Sequence, residues 1–129
     1  METFNIKSHS RTEFINLDYY IISYVNKKSI KDGILSIFIP HTTAGITINE
    51  NGDPDVKIDM DNILSSFVPW ENNYKHFEGN SAAHVKASLM GNSVQVFIEN
   101  AQIKLGTWQS VYFCEFDGPR NRSFWIKEN

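Results

Sequence analysis

The run Thr107 to Phe116, TWQSVYFCEF, is largely apolar on both of its alternating faces. In an extended chain successive side chains point to opposite sides. Thr107, Gln109, Val111, Phe113 and Glu115 therefore share one face, and Trp108, Ser110, Tyr112, Cys114 and Phe116 the other. Such a strand needs cover on both sides, from the rest of the fold, from a partner subunit, or from both. Ile34 to Ile39, ILSIFI, has the same character apart from Ser36 and predicts a second interior strand. Glu115 is then a carboxylate in apolar surroundings, which requires an arginine, a histidine or a metal as partner, or else protonation.

Other segments supply that cover. Phe4 to Ser10 reads as a first strand, and Glu13 to Leu17 as a second or an extended lead-in. Asn16 or Asp18 can cap a helix running to about Lys28, with Leu17, Ile21, Tyr24, Val25 and Lys28 at helical spacing. Pro40 ends ILSIFI, and His41-Thr42-Thr43 leads into the strand AGITIN. If extended, this stretch lines up His41, Thr43, Thr47 and Asn49 on one face. ENGDPD is a turn, and Pro54 suits the start of a helix with Val56, Met60, Ile63, Leu64 and Phe67 as its apolar stripe. Beyond Gly91, VQVFIE reads as a strand, Asn100 to Lys104 as a turn into a short one, and Ser123 to Lys127 as a last one.

His76 to Gly91, HFEGNSAAHVKASLMG, concentrates the polar chemistry. Gly79 allows a sharp turn, Asn80 or Ser81 can cap a helix, and Gly91 can close it. Helical spacing puts Ala82, Val85 and Leu89 on a core stripe, with Ser81, His84 and Ser88 on a separate polar strip. The helix start is suited to a phosphate or carboxylate. Lys86, near the stripe's edge, can snorkel or reach such an anion, and Arg120 after the Asp117-Gly118-Pro119 turn is a second anion clamp.

A length of 129 residues suits one domain. A net charge of −3 argues against a general nucleic-acid binder, whose phosphate contacts need clustered Lys and Arg. No apolar run approaches the roughly 20 residues that span a bilayer, and METFNIKSHS lacks the hydrophobic segment of a signal peptide, so a cytoplasmic location is expected. The one cysteine, Cys114, lies in an apolar run and reads as an inert core thiol.

HTTAGITINE followed by DPDV, then HFEGNSAAHVKASLMG, then LGTWQSVYFCEFDGPRNR, come in the order and spacing of the YjbQ-like family, which is named for secondary thiamine-phosphate synthase activity. The resemblance runs from about Phe4 to Trp125, with Phe97 in place of a usual proline and Ala101 in place of a usual glycine. It implies an α+β fold, a two-sheet β-sandwich with flanking helices that assembles as a homotrimer. It also implies functional positions at His41, Asn49, Glu50, Asn80, His84, Gln109, Glu115 and Arg120. The implied reaction joins a hydroxymethylpyrimidine diphosphate to a thiazole phosphate and releases pyrophosphate.

His41, His84, Glu115 and Arg120 are the expected catalytic groups, and Asn49, Glu50, Asn80, Ser81, Lys86 and Gln109 the expected contacts to a small phosphorylated ligand. An alternative expectation is a metal-assisted hydrolase or lyase, because His41, His84 and Glu115 have the ligand types of a two-histidine, one-carboxylate divalent-metal centre. A third is a non-catalytic ligand-binding or assembly module, with the same polar groups forming a buried network.

Overall fold

Both doubly apolar runs become central strands. The computed structural model describes residues 1–129, and its eight strands form two antiparallel sheets. The larger sheet runs in the order β1 (Glu2–Lys7), β8 (Asn121–Glu128), β3 (Gly33–Phe38), β5 (Ser93–Glu99), β6 (Gln102–Lys104). The smaller has β7 (Gln109–Glu115) between β2 (Glu13–Asn16) and β4 (Ala44–Glu50). Three helices, α1 (Asp18–Lys28), α2 (Pro54–Phe67) and α3 (Ser81–Met90), complete the expected α+β architecture.

One face of β7 and the inner face of β3 meet in the main core, where Leu35, Ile37, Val111, Phe113, Phe124 and Ile126 are all sealed from water. Helix α1 joins this core through Leu17, Ile21, Tyr24 and Val25, as its spacing predicts, while Lys28 stays outside. Asp18 does not cap α1 with its side chain. Its carboxylate instead accepts from Ser110 Oγ at 2.6 Å and the Val111 N–H at 2.9 Å, tying α1 to β7. The other face of β7 packs Cys114, with Phe116, against Ala83 and Ala87 of α3. The chain alone therefore covers both faces of this strand. Burial raises the Cys114 thiol pKa far above its usual value, as an inert core thiol requires.

Helix α3 departs from the expected stripe. Ala82, Ala83, Lys86 and Ala87 are buried, whereas Val85 and Leu89 are 45% and 54% exposed. The reason is close approach: a Cβ on Gly45 of β4 would sit 2.8 Å from both the Gly91 carbonyl oxygen and Met90 Cβ. Apart from Lys86, whose stem runs to Ser65 of α2, only alanine-sized side chains lie beneath the helix at that distance, and Val85 and Leu89 face out. Gly45→Ala should cost about 1–3 kcal/mol through overpacking, read as a lower midpoint in thermal unfolding. An unchanged midpoint would show that α3 shifts freely on β4.

Helix α2 is capped by Asp53, whose Oδ1 accepts from the Asp55 N–H at 2.9 Å, with Pro54 at its start. Its anticipated apolar stripe is only partly covered within the chain, with Val56, Met60 and Leu64 half-buried. No residue of α2 is buried, and Ile58, Ile63 and Phe67 are exposed, although Leu64 touches the Cys114 cluster. In the β5–β6 turn Asn100 and Ala101 both have positive φ, 53° and 62°. An alanine there bears a left-handed cost of roughly 1–2 kcal/mol that glycine avoids, which gives the Ala101 departure a physical meaning.

Candidate functional site

Pro40 decides where the first histidine goes. The β3–β8 register pairs Phe38 with Trp125, and its continuation sets Pro40 opposite Ser123. Proline has no N–H to offer the Ser123 carbonyl. The His41 ring takes that place: the Ser123 N–H lies 3.0 Å from Nε2, and the Ser123 carbonyl oxygen 3.1 Å from the same nitrogen. A neutral imidazole accepts from the first or donates to the second according to its tautomer. In both cases Nδ1 is left to meet a ligand. Burial, then the Arg122 charge, lowers the His41 pKa, opposed by Ser123 and Glu115, which favours the neutral ring.

His84, from the first half of α3, shares a cleft of about 540 Å³ with His41. Thr42 and Ser88 add hydroxyls to its lining, and Gly91 and Asn92 bring the end of α3 to it. The His76 ring meets His84 edge to face, with centroids 5.5 Å apart. Thus the structure brings together the two histidines that the sequence places on separate elements.

Glu115 does not join them, and the expected metal triad is corrected here. It is sealed from water in the same layer as Phe113, where Arg122 of β8 reaches it through Nε to Oε1 at 2.9 Å and Nη2 to Oε2. Ser8 Oγ donates to Oε1 at 2.6 Å and the Asp117 N–H to Oε2 at 3.1 Å. Burial pushes the Glu115 pKa up, but these hydrogen bonds and the Arg122 charge outweigh it and hold it below its usual value. With its oxygens thus engaged, Glu115 has no lone pair directed at the cleft. Nowhere do three His, Cys, Asp or Glu side chains gather as metal ligands, so the residues do not fit a two-histidine, one-carboxylate centre.

Asn80 and Arg120 meet through Asp117, whose Oδ2 accepts from Asn80 Nδ2 and Arg120 Nη2, each at 2.8 Å. Neither Asn80 nor Ser81 provides the anticipated cap; α3 has no side-chain cap, and Asn80 spends its amide on Asp117. Asn80 Oδ1 is buried with no partner. Lys86 is 4% exposed and its Nζ donates to Ser65 Oγ at 3.2 Å. It lies beneath α2 rather than toward solvent, which corrects its expected reach to an anion. Burial lowers its pKa, with Asp61 opposing and Arg11 adding to the shift.

Asn49 and Glu50 lie at the far end of β4, with Gln109 beside them at the start of β7, a strand length of on the order of 20 Å from the cleft. There Glu50 Oε2 accepts the Gly52 N–H at 3.0 Å and Gln109 Oε1 the Gly106 N–H at 2.8 Å, each in its own turn, while Asn49 Oδ1 accepts the Glu50 N–H at 2.8 Å. Within one chain, then, the expected site residues fall into separate groups.

A family model for UPF0047, YjbQ-like proteins, matches residues 2–128. The chain belongs to the YjbQ-like family. The UPF0047 protein YugU of Bacillus subtilis is 48% identical over 128 residues, covering 98% of this chain and 97% of its own length. A UPF0047 protein of Methanocaldococcus jannaschii is 51% identical over 124 residues, 96% of this chain and 90% of its own. Among solved structures, an uncharacterised YjbQ/UPF0047 protein of Clostridium acetobutylicum superposes with a TM-score of 0.97 at 48% identity, over the full length of both chains. A conserved hypothetical protein of Thermus thermophilus gives 0.93 at 32% identity, again over both full lengths. This YjbQ-like chain has no helix long and apolar enough to cross a membrane.

Proposed function

We propose that the protein is an enzyme acting on a small phosphorylated molecule held between the first turn of α3 and the His41–His84 cleft. The observation that carries this reading is the pair of imidazoles, from different elements, on one open polar cleft. An imidazole that is neutral at pH 7 can take a proton and return it. One helical turn before His84, the first N–H groups of α3 have no side-chain cap and stand beside the Arg120 cluster. Such N–H groups and a guanidinium are suited to a phosphate. Asp117 fixes the Asn80 amide so that the buried Oδ1 is left as an unpaired acceptor at the start of α3. The opposite, electronegative end of α3 lines the cleft at Gly91 and Asn92, where it favours positive charge.

A substrate with an anionic leaving group and a reacting centre that becomes positive fits this polarity. The family resemblance names such a reaction, the joining of hydroxymethylpyrimidine diphosphate and thiazole phosphate. In that reading Arg120 and the start of α3 hold the departing pyrophosphate, and the cleft holds the ring that gains positive charge. The metal-assisted hydrolase or lyase reading needs Glu115 as third ligand, and Arg122 holds it. Release of pyrophosphate from the two precursors by the purified protein, abolished by His84→Ala, is the expected result. Absence of both turnover and binding of either precursor would overturn the reading.

The homotrimer belongs to the same proposal. Ile58, Ile63 and Phe67 of α2 and Val85 and Leu89 of α3 are apolar and exposed, and a subunit contact would cover them. Light scattering should give three times the 14.8 kDa chain mass; a monomer at micromolar concentration would refute the assembly.

A further inference from the structure

Arg122 makes a contact that its pairing with Glu115 does not require. Its Nη2 also donates to Thr43 Oγ1 at 2.8 Å and approaches the Thr43 carbonyl oxygen at 3.4 Å. Thr43 is 6% exposed, and its carbonyl additionally accepts the Phe116 N–H at 3.2 Å. The next residue of β8, Ser123, holds the His41 ring at Nε2. Consecutive residues of β8 thus grip consecutive alternate positions of the 41–43 segment, one by its side chain and one by its backbone. This segment lies just beyond Pro40, where the β3–β8 ladder has stopped, and it rejoins a ladder only at Thr43, through the Phe116 N–H.

We propose that Arg122, anchored on Glu115 and acting through Thr43, is a positioning residue that holds His41 on the Ser123 rung so that Nδ1 is its working nitrogen. Glu115 fixes the guanidinium from the other side, since two of its N–H groups are spent on the carboxylate. Once Nε2 is on Ser123, only Nδ1 remains to exchange a proton with a ligand. The rung serves both roles. With Nε2 accepting from the Ser123 N–H, Nδ1 carries a proton to donate; with Nε2–H donating to the Ser123 carbonyl, Nδ1 has a lone pair to accept one. The guanidinium charge further disfavours the doubly protonated ring.

The inference deepens the reading of the cleft as the reaction site, but its test does not depend on that reaction. Thr43→Val keeps the shape of the side chain and removes only the hydroxyl that Arg122 grips, and Arg122→Lys keeps the charge and loses the fork. Histidine-selective ¹⁵N–¹H long-range spectra of the full chain report the tautomer and hydrogen bonding of each ring. In both variants the Nε2 signal of His41 should lose the shift of a hydrogen-bonded nitrogen and move toward that of the exposed His9, while His84 is unmoved. Thr43→Ser should restore the parent pattern, which a general loss of packing would not explain. If precursor turnover is present, Thr43→Val should lower kcat by about tenfold with little change in KM. A parent-like His41 pattern in Thr43→Val, whether or not Arg122→Lys folds, would overturn the inference. Absent turnover in the parent protein with a displaced His41 Nε2 signal in the variant would count against the proposed reaction alone.

Discussion

Arg122→Met is expected to lower stability by about 3–5 kcal/mol, because it leaves Glu115 as an unpaired charge in the core. Glu115 comes from the smaller sheet and Arg122 from the larger, so the pair bridges the sandwich where the apolar layer of Phe113 and Phe124 ends. At this chain length the loss should appear as a fall in unfolding midpoint of roughly 10 °C or more. The double variant Arg122→Met with Glu115→Leu should recover most of it, since replacing both members of a buried pair by apolar groups is often near neutral. A single variant as stable as the parent would mean that water or another cation reaches Glu115. The proposed positioning role separates from this stability role in the double variant, which should fold well and still misplace His41.

The same network sets the response to acid. The Glu115 pKa is held below its ordinary 4.5, so its contribution to stability is present above that value and lost as pH falls through the folded pKa. The His41 pKa is likewise held below 6.5, and folding that favours the neutral ring is opposed as the unfolded ring gains its proton below that pH. Both groups therefore make the protein less stable on acidification, His41 from about pH 6.5 downward and Glu115 at lower pH. Glu115→Gln should flatten the lower part of this profile in urea unfolding series.

His84→Ala should reduce kcat for precursor turnover by about 10²–10⁴-fold, the usual worth of a positioned acid or base, with little change in unfolding midpoint because the side chain lines an open cleft. His41→Ala should show a similar kinetic loss together with some loss of stability, since the Ser123 N–H and carbonyl would lose their ring partner. If His84→Ala leaves kcat intact and changes only subunit mass, the polar groups serve assembly instead.

The interior strands β3 and β7 are legible in the sequence because they are apolar on both faces, and α1 by its spacing, while the two-sheet arrangement is what the family resemblance implies. Helix α3 defeats the same reasoning because periodicity ranks side chains by apolarity, whereas the approach of α3 to Gly45 selects them by size. The α2 stripe exists as its spacing predicts, but one chain covers it only in part and leaves Ile63 and Phe67 exposed. Arg122 carries a signal that the expected strand boundary hides. A last strand starting at Ser123 leaves it outside, yet β8 begins at Asn121, and there Arg122 alternates with Phe124 and Ile126 on the core face. A charge at such a position calls for an opposite one, and Glu115 is already in need of a partner. Asp117 gives no comparable signal, for its role depends on where a turn brings Asn80 and Arg120 together. Nor does spacing along the chain show that Asn49, Glu50 and Gln109 stand a strand length from His41.

The most direct test is a titration of the purified protein with inorganic pyrophosphate, followed in the imidazole spectra of its four histidines. Saturating shifts at His84, one turn from the start of α3, with His9 unmoved, are the outcome expected for a pyrophosphate held by Arg120 and the first turn of α3 at the edge of the cleft. A stationary His84 resonance at millimolar pyrophosphate would contradict the placement of the site.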